Sequence, residues 1–129
     1  HYAYGAIGQW MYEGIAGISP LEPGYKKILI TPKPGEQLEY ASAEYNSVYG
    51  VIASHWKKMD RGLELDITIP PNTTAKVVIP IDAKMNLCMN NKPFKNSADI
   101  KLVDRKSNKV IINVNPGFYT FKTEVKKND

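Results

Sequence analysis

The chain of 129 residues is long enough for one domain with an attached element, and 43% apolar and 23% charged residues are typical of a globular protein. No apolar run reaches the roughly 18 residues of a transmembrane helix, so no membrane partner is expected. The net charge of +4 is modest and the lysines are scattered without a nucleic-acid-binding motif, so nucleic acid is not expected as a partner. The single cysteine, Cys88, excludes an internal disulfide, and its apolar neighbours indicate a buried, inert thiol.

Residues 1–18 have the apolar period of an α-helix. Apolar side chains recur at spacings of three and four, at Tyr4, Ile7, Met11, Ile15 and Ile18. The opposite side carries Ala6 and Trp10. A helix that is apolar nearly all round is normally buried on all sides. Its several glycines, each costing about 1 kcal/mol of helix propensity, indicate that other backbones approach closely.

No later segment reads as a helix that could pack against residues 1–18. We therefore predict that this helix belongs to a larger helical body outside the 129 residues. The chain also begins at His1, inside an aromatic and glycine-rich run, which favours a fragment of a longer protein. The alternative is that the helix packs across the chain's own sheet.

Two prolines and a glycine in residues 19–24 predict a linker after the helix. The apolar period then changes to two, as in β-strands. The clearest strand is residues 63–69, where Leu and Ile alternate with Glu, Asp and Thr. In the turn before it, Gly62 is expected to supply a positive φ. The strands predicted after the linker span residues 25–31, 38–45, 49–58, 63–69, 74–79, 86–89, 101–103, 109–114 and 118–125.

Short strands separated by turn signals every eight to twelve residues predict an antiparallel β-sandwich, jelly-roll-like, or a barrel. The predicted fold class is therefore mainly β, an antiparallel sandwich preceded by one N-terminal helix. Its predicted domains are the helix at 1–18, the linker at 19–24 and the sandwich at 25–129.

Four segments carry a resemblance to a known family: HYAYGAIGQWMYEGIAGI, PGYKKILITPKPG, YNSVYGVIASHWKK and IPPNTTAKVVIP. They resemble the C-terminal end of bacterial α-L-rhamnosidases of glycoside hydrolase family 78. HYAYGAIGQWMYEGIAGI is similar to the last helix of that family's (α/α) catalytic barrel, and PGYKKILITPKPG to the strand that opens the following β-sandwich. YNSVYGVIASHWKK and IPPNTTAKVVIP are similar to the middle of that sandwich. The resemblance covers roughly the first 80 residues, and the rest fits loosely through NPGFYTF. Other glycosidases that join a helical barrel to a β-sandwich are the nearest competitors.

The resemblance implies an enzyme that removes terminal α-L-rhamnosyl groups with inversion. Such hydrolysis needs two carboxyl groups that flank the glycosidic bond. The resemblance places both on the barrel, upstream of His1, so this piece is expected to be structural, without catalytic residues. His1 alone is expected to contact the sugar, and only in the intact enzyme. The implied partners are the missing barrel of the same polypeptide and a rhamnoside substrate, in a bacterial periplasmic, secreted or cytoplasmic protein.

Other residues that bear chemistry have plainer interpretations. Glu13 is expected on the exterior of its helix or against a neighbour, and the pair Glu64 and Asp66 on a solvated sheet face. His55 is expected in packing or at the surface. No cluster of Cys and His has metal-ligand spacing, so no metal or cofactor is expected.

Two alternatives to a structural role remain open. Tyr40, Tyr45, Tyr49 and Trp56 would form a sugar-stacking platform if they shared one exposed face, and the sandwich would then be a carbohydrate-binding module. Aromatic residues in sandwich strands are more often core or cross-strand pairs. The other alternative is an interaction domain with no link to sugars.

Overall fold

A computed structural model describes residues 17–35 and 39–126. This part of the chain is all-β apart from one short 3-10 turn at Pro23–Tyr25. Its strands are β1 (Ile18–Pro20), β2 (Lys27–Ile30), β3 (Tyr40–Ser47), β4 (Gly50–Met59), β5 (Gly62–Ile69), β6 (Thr74–Pro80), β7 (Met85–Met89), β8 (Lys92–Pro93), β9 (Ile100–Arg105), β10 (Lys109–Val114) and β11 (Gly117–Val125).

The described strands form two sheets. Sheet I has the order β1-β2-β6-β10-β9, and sheet II has the order β3-β4-β5-β11-β7-β8. A single buried cluster takes side chains from both sheets, so the sheets pack face to face as a sandwich. Its largest fully buried side chains are Trp56, Phe121, Ile18, Ile28, Ile30, Ile52, Leu65, Ile79, Ile100, Ile112, Val77 and Val110.

Strand β5 shows why the sequence folds in this way. Leu65, Ile67 and Ile69 are buried, while Asp66 between them is exposed on the outer face of sheet II. Since side chains alternate between the two faces of a strand, this register places every apolar residue of β5 in the core. Strands β4 and β11 flank β5 in antiparallel register. The sandwich expected from the alternating pattern is thus confirmed.

The expectation of a wholly antiparallel sandwich is wrong at one position. Strands β2 and β6 are parallel neighbours, with Lys27 opposite Thr74 and Ile30 opposite Val77. Between them the chain crosses to sheet II and builds β3, β4 and β5 before it returns, which is the long crossover that parallel neighbours require. Strands β3, β4 and β5 are consecutive antiparallel neighbours in sheet II.

Residues 1–16 of the helix predicted at 1–18 lie outside the described part, and its predicted end at residue 18 is wrong. Gly17 has a φ of +79°, and Ile18 starts strand β1 and pairs with Ile30. The predicted linker is also partly a strand, because Pro20 still pairs with Ile28. A proline is tolerated there because β1 is the edge strand of sheet I.

Gly62 is needed for close approach and not for the positive φ that we predicted. It is absent from the described glycines with positive φ, which are Gly17, Gly24, Gly50 and Gly117. A Cβ on Gly62 would lie 2.1 Å from the carbonyl oxygen of Thr123. The turn between β4 and β5 therefore packs directly on the backbone of β11.

Two buried threonines give a matched test of the core's polar contacts. Thr73 is 0% exposed, and its hydroxyl has no hydrogen-bond partner among the described residues. We expect Thr73→Val to raise the free energy of unfolding by about 1 kcal/mol, because it removes a buried, unpaired polar atom. Urea denaturation followed by circular dichroism measures the change.

Thr123 is the control, because its replacement by valine is expected to change the free energy of unfolding in the opposite direction. It is also buried, but its Oγ1 accepts a hydrogen bond of 2.9 Å from the backbone N–H of Leu63. Thr123→Val would leave that N–H unpaired, so we expect it to lower the free energy of unfolding by about 1–3 kcal/mol. Shifts of the same sign in both variants would contradict this account of the core.

Candidate functional site

The residue that we predicted to contact substrate, His1, lies outside the described residues, and so does Glu13. No described residue tests either assignment. The candidate residues that can be placed lie mainly on the outer face of sheet II, and the remaining features are apolar surfaces and one thiol.

The carboxylates Glu64 and Asp66 share the outer face of β5, as predicted. Glu64 Oε2 lies 3.9 Å from Lys57 Nζ on the neighbouring strand β4. Asp66 Oδ1 accepts a hydrogen bond of 2.7 Å from Thr120 Oγ1 on β11, and Asp66 is exposed. Each carboxylate is thus engaged by a cross-strand neighbour on an open sheet face. This arrangement is that of cross-strand surface pairs.

A shallow groove of about 220 Å³ crosses this face, and we call it the outer groove. His55 is central in it, opposite Ser42 on β3 and Asp66 on β5. Tyr40 is 70% exposed at the same groove. The outer groove therefore brings together the hydroxyl of Ser42, the imidazole of His55, the carboxylate of Asp66 and the exposed ring of Tyr40.

The four predicted platform aromatics do not share one face. Trp56 is 2% exposed and belongs to the core. Tyr45 packs against the core and stacks on Tyr25, with 4.2 Å between ring centroids and an interplanar angle of 29°. Only Tyr40 of these four is strongly exposed among the described residues. The expectation of core packing is confirmed for Tyr45 and Trp56.

The thiol of Cys88 lies on the outer face of sheet II and is half-buried, so the prediction of a buried cysteine is wrong. Cys88 alternates with Leu87, which faces the core. Its Sγ donates a hydrogen bond of 3.5 Å to Glu124 Oε2. Partial burial raises the pKa of the thiol, the hydrogen bond and charge of Glu124 raise it further, and the charge of Lys122 lowers it. A raised pKa disfavours the nucleophilic thiolate.

The hydroxyl of Tyr119 closes the turn between β10 and β11. It donates to the carbonyl oxygens of Asn115 at 3.0 Å and Pro116 at 3.2 Å. Burial raises the pKa of this phenol, and the charge of Asp99 adds to the effect. The side chain thus remains a neutral donor that fixes the turn, which is a structural role.

Two apolar surfaces were not identified from the sequence. The first, which we call the end groove, has a volume of about 430 Å³ at one end of the sandwich, and its lining includes Pro34, Met59, Leu63, Ile81 and Met85. The second, which we call the Phe118 patch, lies at the other end of sheet II around Phe118, which is 81% exposed. The sequence of β11 could have predicted the Phe118 patch. Residues 118, 120 and 122 share one face of the strand, and since Thr120 and Lys122 are polar, that face is expected to be exposed to solvent.

Within residues 17–35 and 39–126, no group of three or more His, Cys, Asp or Glu side chains is placed to hold a metal ion. The same residues contain no helix of the length and apolarity that a bilayer requires.

Comparison with known proteins identifies the family. Residues 17–92 match the family described as the bacterial alpha-L-rhamnosidase C-terminal domain. The chain belongs to this family. The match covers more than half of the chain and begins at Gly17, directly before β1. The resemblance that we inferred from the sequence is therefore confirmed.

Similar proteins named α-L-rhamnosidase cover between 64% and 96% of the chain. An α-L-rhamnosidase of Formosa agariphila is 46% identical over 96% of the chain, and one of Streptomyces avermitilis is 45% identical over 64% of it. The structure of the S. avermitilis α-L-rhamnosidase complexed with L-rhamnose matches 96% of the chain with a TM-score of 0.76 and 32% identity. The α-L-rhamnosidase of Dictyoglumus thermophilum matches 96% of it with a TM-score of 0.80 and 27% identity.

The rhamnosidase C-terminal domain is a small part of these relatives. The chain spans 13% of the F. agariphila protein and 8% of the curated S. avermitilis protein. It spans 11% and 14% of the S. avermitilis and D. thermophilum chains of known structure.

The reactivity of Cys88 gives a test of the outer face of sheet II. Because its pKa is raised above the ordinary value of 9.0, we expect the rate of iodoacetamide alkylation to rise with pH around a midpoint above 9.0 in the folded chain. Glu124→Gln should move this midpoint down, since it removes a raising charge. Lys122→Gln should move it up, since it removes a lowering charge. A midpoint at or below 9.0 in the native chain would contradict the assignment.

Proposed function

We propose that this chain is the C-terminal, non-catalytic sandwich of a longer α-L-rhamnosidase that removes terminal α-L-rhamnosyl groups with inversion. The observation that carries the proposal is membership of the rhamnosidase C-terminal domain family, together with the small share of each relative that the chain spans. The large remainder of such a protein would contain the catalytic body. The sandwich would then support that body and not act on sugar itself.

The described carboxylates support a structural role for the sandwich. An inverting glycosidase needs an acid and a base on opposite sides of a bound sugar, with room for a water molecule. Glu64 and Asp66 instead lie next to each other on an open sheet face, each with a neighbour on an adjacent strand. This pair therefore does not have the arrangement of an acid and a base on opposite sides of a bound sugar.

We propose a domain boundary at Gly17. Residues 1–16 would be the last helix of the (α/α) barrel, and residues 17–129 the sandwich, without the separate linker predicted at 19–24. The start of the family match at residue 17 and the start of β1 at Ile18 support this position. The nearly all-round apolar sequence of residues 1–16 supports a helix that is buried in a larger body.

Hydrolysis of an aryl α-L-rhamnoside tests the proposal directly. We expect the 129-residue chain to give no turnover above a buffer blank, and the polypeptide extended upstream through its helical body to give turnover. NMR of the first product should show inverted anomeric configuration. Turnover by the 129-residue chain alone would contradict a non-catalytic role.

The same assay tests the role of His1 in the extended polypeptide. If its imidazole hydrogen-bonds a rhamnose hydroxyl, His1→Ala should lower kcat/KM by about fivefold or more, since one lost contact costs about 1–3 kcal/mol. Replacement of the half-buried His55 on the outer face of sheet II by alanine is the control and should leave kcat/KM unchanged. Equal kcat/KM for His1→Ala and the unsubstituted polypeptide would remove His1 from the site.

A carbohydrate-binding module is the second candidate, and one observation favours it. Tyr40 is 70% exposed beside the hydroxyl of Ser42 and the imidazole of His55 in the outer groove, and sugar rings stack on exposed aromatic side chains. Calorimetry of the chain with L-rhamnose distinguishes the two candidates. Heat of binding that Tyr40→Ala abolishes would favour the module, whereas no heat would favour the structural role.

A further inference from the structure

The end groove has the composition of a contact surface. Leu63 and Ile81 are buried at its base, and Met59, which is 45% exposed, lies at its mouth with Pro34 and Met85. Polar residues such as Lys58 and Asp82 form part of the lining. An apolar centre with a polar rim is the usual anatomy of a protein–protein interface.

Hydrogen bonds hold the segments around this groove in place. The Lys58 ammonium donates to the carbonyl oxygen of Gly35, and the Lys58 N–H donates to the carbonyl oxygen of Glu39 at 2.7 Å. On the other side, Arg105 Nη2 donates to the carbonyl oxygens of Asp82 at 3.0 Å and Met85 at 3.1 Å. The groove is therefore preformed, and a partner that binds there does not have to order it.

The polypeptide that precedes the sandwich joins it at this same end. The carbonyl oxygen of Gly17 accepts a hydrogen bond of 2.7 Å from the N–H of Thr31, directly after β2. A Cβ on Gly17 would lie 1.9 Å from the carbonyl oxygen of Thr31, so the backbone is held tightly up to this residue. Since β2 is parallel to β6, both strands end on the side where Pro80 lines the end groove.

The distance from this junction to the groove is short. Pro34 lies three residues after Thr31, which is at most about 11 Å of extended chain. An α-helix with its side chains is about 10–12 Å across. A folded body whose last segment leads into Gly17 would therefore reach the groove without any linker.

We propose that the end groove is the docking site for the catalytic body that precedes Gly17 in the same polypeptide. This inference rests on the proposed function, which supplies that body. The chain spans 13% or less of its curated relatives in F. agariphila and S. avermitilis, so a domain of this size belongs with a much larger upstream part. Residues 1–16, which are apolar and directly precede Gly17, are the nearest portion of that body.

The Phe118 patch is less suited to this partner because of its position. Phe118 pairs with Thr68, six residues along β5 from Gly62 beside the end groove. At about 3.3 Å per residue, the patch lies about 20 Å farther along the strand. The far end of the sandwich, where this patch lies, therefore supplies the control position for the test below.

Thiol protection in the full-length polypeptide tests the docking site. Met59→Cys places a thiol at the mouth of the groove, and Val48→Cys places one in the turn between β3 and β4 at the far end, where Val48 is 85% exposed. Both positions are exposed, so neither substitution removes a core side chain. Mass spectrometry of the peptide that contains each position gives its alkylation rate in the native protein and in urea.

We expect alkylation at position 59 to be at least tenfold slower in the native full-length protein than in urea, and the rates at position 48 to agree within about twofold. The proposal would be overturned if alkylation at position 59 were as fast in the native protein as in urea. It would also be overturned if only position 48 were protected. Protection that disappears on tenfold dilution would indicate a second copy as the occupant and would also overturn it.

Activity of the same preparation separates the two proposals. An active rhamnosidase with an unprotected thiol at position 59 would overturn the docking site and leave the proposed function intact. A protected thiol in a polypeptide without rhamnosidase activity would support docking and overturn the proposed function.

Discussion

The apolar layer between the two sheets is the constraint on which the rest of this structure depends. Sheet II contributes Trp56, Leu65 and Phe121 to it, and sheet I contributes Val77 and Ile112 from its central strands. Each such side chain stabilises the fold by about 1.5–3 kcal/mol through burial. The polar residues of the same strands are thereby fixed on the outer faces, so the layer decides which residues are available for contact with other molecules.

Most of this architecture could be predicted from the sequence. A strand with one face against the core and one face in solvent has apolar and polar residues in alternation. The strand predicted at residues 109–114 matches β10, and the one predicted at 63–69 matches β5 apart from Gly62. The Asn90–Asn91 pair has positive φ at both residues, as a tight turn between β7 and β8 requires. Alternation is visible in such segments because one side of each strand lies against the core.

The features that could not be predicted depend on contacts between distant segments. The parallel pairing of β2 with β6 follows from how the whole chain crosses between sheets, and no local pattern records it. Strand β1 was missed because two of its three residues are Ser and Pro, which read as a linker. The role of Gly62 is set by the backbone of Thr123, about sixty residues away in the chain. The exposure of Cys88 was missed because its neighbour Leu87 is the one that faces the core.

The functional assignment depended on the family and not on a visible site. Local chemistry on the outer face of sheet II consists of surface pairs such as Glu64 with Lys57 and Asp66 with Thr120. Such pairs occur on most sheets and identify no reaction. The segments that resembled rhamnosidases lie mainly in strands and turns of the sandwich, so they identified the family of this C-terminal domain.

The position of the last strand has a consequence for synthesis. Strand β11 lies in the middle of sheet II, between β5 and β7, although it is the last of the described strands in sequence order. Until it leaves the ribosome, β5 and β7 each expose an unpaired edge, and such edges readily join other chains. The nascent protein thus exposes the unpaired edges of β5 and β7 until residues 117–125 have been synthesised, and a stop codon before residue 117 would leave both edges unpaired.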